Sequence, residues 1–180
     1  MNIGFDFDKI FINTPPFIPD ALIDKLYKKK DNGILLYRIP SYPDQLLRRL
    51  THLPWFRPPI AENISFITSL PKGKNKLYII SSRYRFLEGE TNRLIKNYHF
   101  DKIFDGIYFN FANEQPHEFK DKMIKKLSID KYIDDDLSLL KYVAAKNPKT
   151  HFFWLNDRNQ EQSVTKNIME IKTLKEVFSK

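Results

Sequence analysis

The sequence has 180 residues, 42% of them hydrophobic, and its 30 basic and 22 acidic side chains give a formal net charge of +8 at pH 7. This is the composition of one globular domain, long enough to bury a core without covalent cross-links. There is no cysteine, which excludes a disulfide scaffold and every zinc or iron–sulfur site with cysteine ligands. Apolar runs such as residues 34–37 and 152–155 are far shorter than the roughly 20 residues of a membrane-spanning helix.

The positive charge and the N-terminal residues bear on location and partners. Asp6 and Asp8 lie where a secretion signal would have an uncharged apolar run, so we expect a cytoplasmic protein without a membrane anchor. Residues 1–75 contribute 11 − 7 = +4 and residues 76–180 contribute 19 − 15 = +4. A nucleic-acid-binding face concentrates its basic residues, and this even spread therefore disfavours a nucleic-acid partner.

Short apolar strands and helical patterns alternate along most of the chain. The first predicted strand covers residues 2–7, where Ile3, Phe5 and Phe7 alternate with Gly4 and Asp6. Further strands are predicted at residues 77–81, 103–109, 131–134 and 151–155, with 168–171 as a last candidate, and helices at 87–98, 118–127, 137–145 and from 174 onward. This alternation predicts an α/β fold with a doubly wound parallel sheet.

Residues 16–75 do not continue the alternation. Eight of the eleven prolines lie at positions 15–59, and helical patterns are found at residues 19–30, 42–50 and 62–70. We therefore predict a core formed by residues 1–15 and 76–180, with residues 16–75 inserted as a small helical cap.

Polar side chains follow several of the predicted strands. They are Asp6 and Asp8, Ser81 and Ser82, and the acidic run 134–136. Ligands of open parallel sheets bind at the carboxyl ends of the strands, so these side chains form the candidate site. The spacing of the five glycines fits neither a dinucleotide-binding loop nor a phosphate-binding P-loop, which excludes both of those classes.

The order of these residues along the chain is more specific than any one of them. An Asp-x-Asp follows the first strand, a serine ends a later strand, a lysine lies in a helix, and paired aspartates end another strand. These positions are Asp6 and Asp8, Ser81, Lys120, and Asp134 with Asp135. In this order the chain resembles the haloacid dehalogenase-like (HAD) superfamily of phosphohydrolases, some of which carry a helical cap between the first and second motifs.

The resemblance implies a Rossmann-like core and a Mg²⁺-dependent phosphatase that acts on a small phosphomonoester, with nucleotides among the candidates. It implies that Asp6 is the nucleophile, that Asp8 is the general acid and base, and that Ser81 and Lys120 contact the phosphoryl group. Electrostatics agrees with the resemblance, because a carboxylate and a phosphate dianion repel each other until a cation with hard oxygen ligands offsets their charge.

The predicted Mg²⁺ ligands are Asp6, Asp8 and one acid of the run 134–136, with Asp135 preferred and Asp134 second. Asp136 is assigned instead as the N-cap of the following helix.

The predicted substrate-binding residues are Ser82, Arg83 and Arg57. Arg57 is followed by two prolines that limit its backbone freedom, and a guanidinium can pair with an anion or stack on a ring. We expect it to touch the part of the substrate that is not phosphate.

Several alternatives stay open at this stage. Lys122 competes with Lys120 for the role of the third motif. Lys9 replaces the glycine that is common in the first motif of the superfamily, and its side chain either crowds the loop or places a cation near the phosphate. The alternative functions are a binding protein with impaired catalysis and a phosphatase that acts on nucleic-acid ends. The four histidines have no metal-ligand spacing and receive no role.

Overall fold

The computed structural model describes residues 1–15, 28–31, 34–156 and 163–179. The strands are β1 (Asn2–Phe5), β2 (Lys28–Asp31), β3 (Ile34–Tyr37), β4 (Lys76–Ser81), β5 (Gly106–Phe109), β6 (Lys131–Asp134), β7 (His151–Leu155) and β8 (Ile168–Ile171). The helices are α1 (Tyr42–Thr51), α2 (Ala61–Ser69), α3 (Glu88–Asn97), α4 (Pro116–Lys126), α5 (Leu137–Lys146) and α6 (Lys175–Ser179). Short 3₁₀ turns lie at Pro54–Phe56, Arg85–Leu87 and Phe100–Lys102.

Six of the strands form one parallel sheet in the order β5-β4-β1-β6-β7-β8. The chain moves outward from β1 to β5, returns to β6 on the other side of β1, and continues outward to β8. This is the predicted doubly wound topology, and its switch point lies at β1. In register, Phe5 of β1 lies between Ile79 of β4 and Ile133 of β6, so the carboxyl ends of these three strands coincide.

Alternate side chains of the strands enter two separate cores, one on each face of the sheet. Ile79 and Ile133 belong to the first core, whereas their neighbours Ile80 and Tyr132 belong to the second. The first core is closed by residues of α2, α3 and α6, and the second by residues of α4 and α5. Burial of both faces explains why the strands have apolar residues at consecutive positions.

The loop after β1 is held by aromatic packing. Phe7 and Phe11 are fully buried, and the Phe7 ring lies 5.4 Å from the Phe100 ring while the Phe11 ring lies 5.2 Å from the Phe104 ring, both edge to face. Such pairs add to the free energy of burying the rings, which are the largest apolar side chains available. Because Phe7 is anchored in the core, the acids on either side of it, Asp6 and Asp8, are held at the carboxyl edge of the sheet.

The described part of residues 16–75 contains both helices and strands. The helices predicted at 42–50 and 62–70 are present as α1 and α2. A further helix is predicted at 19–30. Its residues 19–27 lie outside the described part of the chain, and its residues 28–30 belong instead to strand β2, which is antiparallel to β3. The sequence between these strands, Asn32-Gly33, favours a two-residue hairpin connection, a signal that the helical reading of this stretch overlooked.

Helix α2 packs on the core rather than over the carboxyl edge of the sheet. Its Ile67 is buried in the first core, and its Phe66 ring lies 5.4 Å from Phe178 at the C-terminus. The division of the chain into core and cap stays a prediction. No helix in the described ranges is long and apolar enough to span a membrane.

Gly4 gives a test of the packing around β1. A Cβ atom at Gly4 would lie 2.8 Å from Cδ2 of Tyr132, a fully buried ring whose hydroxyl donates to the Ile80 carbonyl at 3.0 Å and which therefore cannot move aside easily. We expect Gly4→Ala to lower the free energy of unfolding by about 1–3 kcal/mol. Gly89→Ala is the control, because a Cβ there meets no atom within 4 Å and alanine favours helix α3. Urea unfolding of both variants measures the difference, and equal midpoints would contradict the packing argument.

Candidate active site

The polar residues predicted from the sequence meet at the carboxyl edge of the sheet. Asp6 follows β1, Ser81 ends β4 and Asp134 ends β6, and these strands are neighbours. A cavity of about 210 Å³ opens at this edge. It is lined, among others, by Asp6, Asp8, Lys9, Ser81, Ser82, Arg83, Lys120 and Asp135. Arg57 and Asp134 lie directly behind this lining, bound to Asp8 and Lys120 respectively. The structure therefore brings together all nine predicted site residues, while their roles stay predictions.

Three carboxylates lie close together at the base of the cavity. One oxygen each of Asp6, Asp134 and Asp135 lies within 4.8 Å of the others. Burial raises the pKa of Asp6; the Lys120 ammonium opposes this, and the Asp134 carboxylate adds to it. Burial likewise raises the pKa of Asp135, opposed by Lys9. Carboxylates whose pKa values are raised in this way gain from a nearby cation.

The Lys120 ammonium is the buried cation of this cluster. Its Nζ lies 2.6 Å from Asp134 Oδ2 and 2.9 Å from Asp6 Oδ1. Burial alone would lower the pKa of Lys120, but the carboxylates of Asp134 and Asp6 raise it well above its ordinary value, so the side chain is charged. Lys120 lies on the buried face of α4, four residues after Pro116 and four before Ile124. A lysine at this spacing on an otherwise buried helix face was the signal by which the sequence could have identified it.

Lys122 has a different environment. It pairs with Glu114, and 54% of its side chain is exposed. The structure therefore assigns Lys120, not Lys122, to the cluster.

Asp8 is held by two arginines. Arg83 forms a bidentate pair with it, from Nε to Oδ2 at 2.9 Å and from Nη2 to Oδ1 at 2.7 Å, and Arg57 Nη1 donates to Oδ1 at 2.8 Å. Burial alone would raise the pKa of Asp8, but the charge and hydrogen bonds of Arg83, followed by the charge of Arg57, hold it well below its ordinary value. Asp8 is therefore ionised. The sequence predicts that Arg57 touches the substrate, and that role stays a prediction; in the structure its guanidinium is buried against Asp8.

His52 completes this network and was missed by the sequence argument. Its Nε2 lies 2.8 Å from Arg57 Nη2 and its Nδ1 lies 2.7 Å from the Arg48 carbonyl. Arginine can only donate and a carbonyl can only accept, so the partners assign the tautomer with hydrogen on Nδ1. Burial, followed by the Arg57 charge, lowers the pKa of His52, and the ring is neutral. His52 and Arg57 are separated by a turn that contains a proline and has neither helical nor strand periodicity. No sequence pattern therefore indicated that they are in contact.

Lys9 adopts a backbone conformation that favours glycine. Its φ of 58° lies in the left-handed region, and its Nζ lies 2.7 Å from Asp135 Oδ2. Glycine would take this conformation without the steric cost that a Cβ atom brings. Of the two readings of Lys9 made from the sequence, the structure supports the placement of a cation at the site.

Asp136 has the predicted capping role. Its Oδ1 accepts from the backbone N–H groups of Ser138 and Leu139 at the start of α5, and its Oδ2 accepts from the Tyr37 hydroxyl at 3.0 Å. Tyr37 is also joined to the core through its backbone, which exchanges two hydrogen bonds with the Gln115 side chain. Strand β3 is thereby fixed beside the cavity.

Helix α1 contacts the region that follows β4. Arg49 of α1 pairs with the buried Glu90 of α3 at 3.1 Å, and the Arg48 guanidinium lies over the Phe86 ring at 6.0 Å. These contacts hold α1 beside the cavity, which Arg48 lines.

Three buried oxygens of cavity-lining residues make no hydrogen bond within the described part of the chain. They are Ser82 Oγ, Tyr84 Oη and Asp6 Oδ1, the last being close to Lys120 but without hydrogen-bond geometry. A buried polar atom without a partner costs free energy, so each is an available contact for a ligand. Ser81 is buried beside them.

The charge balance at Lys120 gives a matched test. At neutral pH, Lys120→Met removes the cation between Asp6 and Asp134, and we expect the free energy of unfolding to fall by about 3–5 kcal/mol. Lys122→Met removes an exposed pair with Glu114 and is expected to cost less than about 1 kcal/mol. Urea unfolding of the two variants checks this, and similar losses would contradict the assignment of Lys120 to the buried cluster.

Comparison with known proteins is consistent with this geometry. No protein-family profile and no curated protein matches the chain. Among solved structures, a haloacid dehalogenase-like hydrolase from Bacteroides fragilis aligns with a TM-score of 0.65 at 18% identity, over 98% of each chain. YfnB of Bacillus subtilis, named as a HAD hydrolase and crystallised with magnesium, aligns with a TM-score of 0.60 at 13% identity, over 99% of this chain and 96% of YfnB. The chain therefore has the fold of the haloacid dehalogenase-like superfamily.

Proposed function

We propose that the protein is a Mg²⁺-dependent phosphatase that hydrolyses a small phosphomonoester through an aspartyl phosphate on Asp6. One observation carries the proposal: the Asp6 carboxylate lies in a cluster of three acids, beside a buried ammonium, with one oxygen that lacks a hydrogen bond. A nucleophilic carboxylate needs such surroundings, because positive charge must offset its repulsion from the phosphate.

The donor set fits a magnesium ion. Asp6, Asp134 and Asp135 supply hard carboxylate oxygens, and the raised pKa values of Asp6 and Asp135 reflect burial that a cation would offset. These three residues would hold the ion, with Asp8 as the further predicted ligand. The ion would lower the repulsion between the carboxylates and the phosphate and would balance charge on the transferring group. The magnesium bound to the distant structural neighbour YfnB supports this choice of metal.

The chain's own residues divide the reaction between them. An Asp6 oxygen attacks phosphorus, the bond to the leaving oxygen breaks, and Asp8 protonates that oxygen. Water then attacks the phosphorus of the acyl phosphate, Asp8 takes its proton, and release of phosphate restores Asp6. Lys120 stays charged beside Asp6, and the hydroxyls of Ser81 and Ser82 donate to phosphoryl oxygens.

Arg83 must exchange Asp8 for another partner during this cycle. Asp8 has to carry a proton to serve as the acid, yet Arg83 and Arg57 hold it ionised. A guanidinium pairs with a phosphate as well as with a carboxylate, so a bound phosphate competes with Asp8 for Arg83. Loss of that pairing raises the pKa of Asp8. In this scheme, binding of the substrate raises the pKa of Asp8 and so allows Asp8 to act as the general acid.

The size and lining of the cavity support a small substrate. About 210 Å³ is below the range of roughly 300–1,000 Å³ that is typical of sites for larger ligands. Apart from the charged groups, its walls include the side chains of Tyr37, Tyr84, Leu87 and Leu139, which suit a compact organic group. The cavity therefore favours a small phosphomonoester over the end of a nucleic acid.

The pairing of Asp8 with two arginines and of Asp135 with Lys9 also favours a second candidate, a phosphate-binding protein without turnover. In such a protein the same cations would bind phosphate, and the acids would not react.

A screen of phosphorylated metabolites, with Mg²⁺ or with a chelator, separates the two candidates. We expect release of phosphate from at least one small phosphomonoester with Mg²⁺, and a loss of at least about 10³-fold in Asp6→Asn, because an amide cannot form the acyl phosphate. The variant should keep its melting temperature, since burial already disfavours the charged form of Asp6. Residual activity within about tenfold of the wild type would exclude Asp6 as the nucleophile. Phosphate binding without any turnover would favour the binding protein.

Arg57→Ala tests how the insertion acts on catalysis. Because Arg57 contacts Asp8, we expect kcat/KM to fall by roughly tenfold or more, about 1.4 kcal/mol, on the best metabolite and on a generic aryl phosphate alike. A loss confined to the metabolite would instead support the sequence-based expectation that Arg57 touches the non-phosphate part. Arg49→Ala is the control, because Arg49 also joins the insertion to the core but pairs with Glu90.

A further inference from the structure

We propose that Lys9 competes with the divalent cation for the Asp135 carboxylate, so that binding of the ion requires the Lys9 ammonium to leave. The inference rests on the proposed function, since it takes the ligands of the ion to be Asp6, Asp134 and Asp135. It adds a residue that lowers the affinity for metal.

The Lys9 ammonium directly contacts one of the candidate metal ligands. Lys9 Nζ lies 2.7 Å from Asp135 Oδ2, an oxygen of one of the three carboxylates that cluster within 4.8 Å. An ammonium and a metal ion cannot both occupy the close approach to one carboxylate oxygen. Lys120, the other lysine of the cluster, pairs with Asp134 and Asp6 and leaves Asp135 to Lys9.

The backbone of Lys9 has an unfavourable conformation for a residue with a side chain. Lys9 has φ of 58°, and its N–H donates to the Ile12 carbonyl at 2.7 Å, which fixes the tight turn after Asp8. Glycine adopts this conformation without the steric cost that any side chain with a Cβ incurs. A lysine here carries a conformational cost, and its ammonium contacts a candidate metal ligand. Backbone strain of this kind is a recognised mark of functional positions.

The charge balance of the cluster also favours departure of the Lys9 ammonium when a divalent ion binds. The formal charges of Asp6, Asp134 and Asp135 with Lys9 and Lys120 sum to −3 + 2 = −1. A divalent ion added to this set gives +1, whereas its addition with departure of the Lys9 ammonium gives 0. Lys9 has a long side chain that is 27% exposed and can move its ammonium into water, whereas the Lys120 side chain is only 3% exposed. Exchange at Lys9 therefore keeps the buried cluster close to neutral.

Calorimetric titration with Mg²⁺ alone tests the competition without any assay of turnover. Lys9→Met keeps the length of the side chain without its charge, Lys9→Gly also relieves the backbone, and Lys9→Arg keeps the charge. We expect Lys9→Met and Lys9→Gly to bind Mg²⁺ about tenfold or more tightly than the wild type, and Lys9→Arg to stay close to the wild type. Lys122→Met, which removes an exposed lysine outside the cluster, should leave the affinity unchanged.

A double-mutant cycle with Asp135→Asn excludes a merely structural role. If Lys9 acts through Asp135, its replacement by methionine should gain little Mg²⁺ affinity once the Asp135 carboxylate is absent. A gain of the same size in both backgrounds would overturn the proposal. A gain in Lys9→Gly but not in Lys9→Met would overturn it too, because the effect would then come from the backbone.

The remaining outcomes separate this inference from the proposed function. Equal Mg²⁺ affinities in wild type, Lys9→Met and Lys9→Gly would overturn the competition and leave the phosphatase proposal intact. Binding to these two variants but not to the wild type would support the competition and overturn Mg²⁺ dependence of the natural protein. Absence of binding in all variants, with melting temperatures that verify folding, would overturn the metal site and the competition together.

Discussion

One buried ammonium, that of Lys120, lies between two carboxylates at the carboxyl ends of neighbouring strands and pairs with both. Parallel pairing of β1 with β6 brings Asp6 and Asp134 to the same edge, where burial makes their combined charge costly. Lys120 lies on the buried face of α4, so the packing of that helix against the second core sets the position of the cation. The fold and the site thus depend on the same contact, that of Lys120 with Asp6 and Asp134. Without it, β1 and β6 would place unpaired negative charge inside the protein.

The aromatic packing of the first core determines where the remaining acids lie. Phe7 enters the core between Asp6 and Asp8, and a turn follows in which the Lys9 N–H donates to the Ile12 carbonyl. Arg57 reaches Asp8 from the segment between β3 and β4, while Arg83 reaches it from the loop after β4. The Asp8 carboxylate therefore joins segments that lie before and after β4, and in the proposed reaction a phosphate would compete for the same arginines.

The acids of the site fall into two electrostatic environments. Asp8 is kept ionised by arginines, which cannot lose their charge in the working range of a protein. Burial raises the pKa values of Asp6 and Asp135, and neighbouring carboxylates add to this effect while a lysine beside each of them opposes it. Groups of one chemical type with pKa values shifted in opposite directions are typical of catalytic sites. The proposed reaction needs an ionised Asp6 and a protonated Asp8, so binding of a cation beside Asp6 and of a phosphate beside Arg83 would have to reverse both shifts.

The sequence by itself determined the doubly wound sheet, because strand and helix patterns are local. It also identified the acids and serines that follow the strands and the lysine that lies in a helix. It did not determine which partners these groups have. Asp8 and its arginines are 49 and 75 residues apart, and the Asp135 partner, Lys9, lies 126 positions earlier, so only the folded chain brings them together. The same holds for His52, whose neutral ring depends on burial, and for β2, whose strand depends on pairing with β3. Local pattern predicts which residues are available, and long-range packing decides which charges meet.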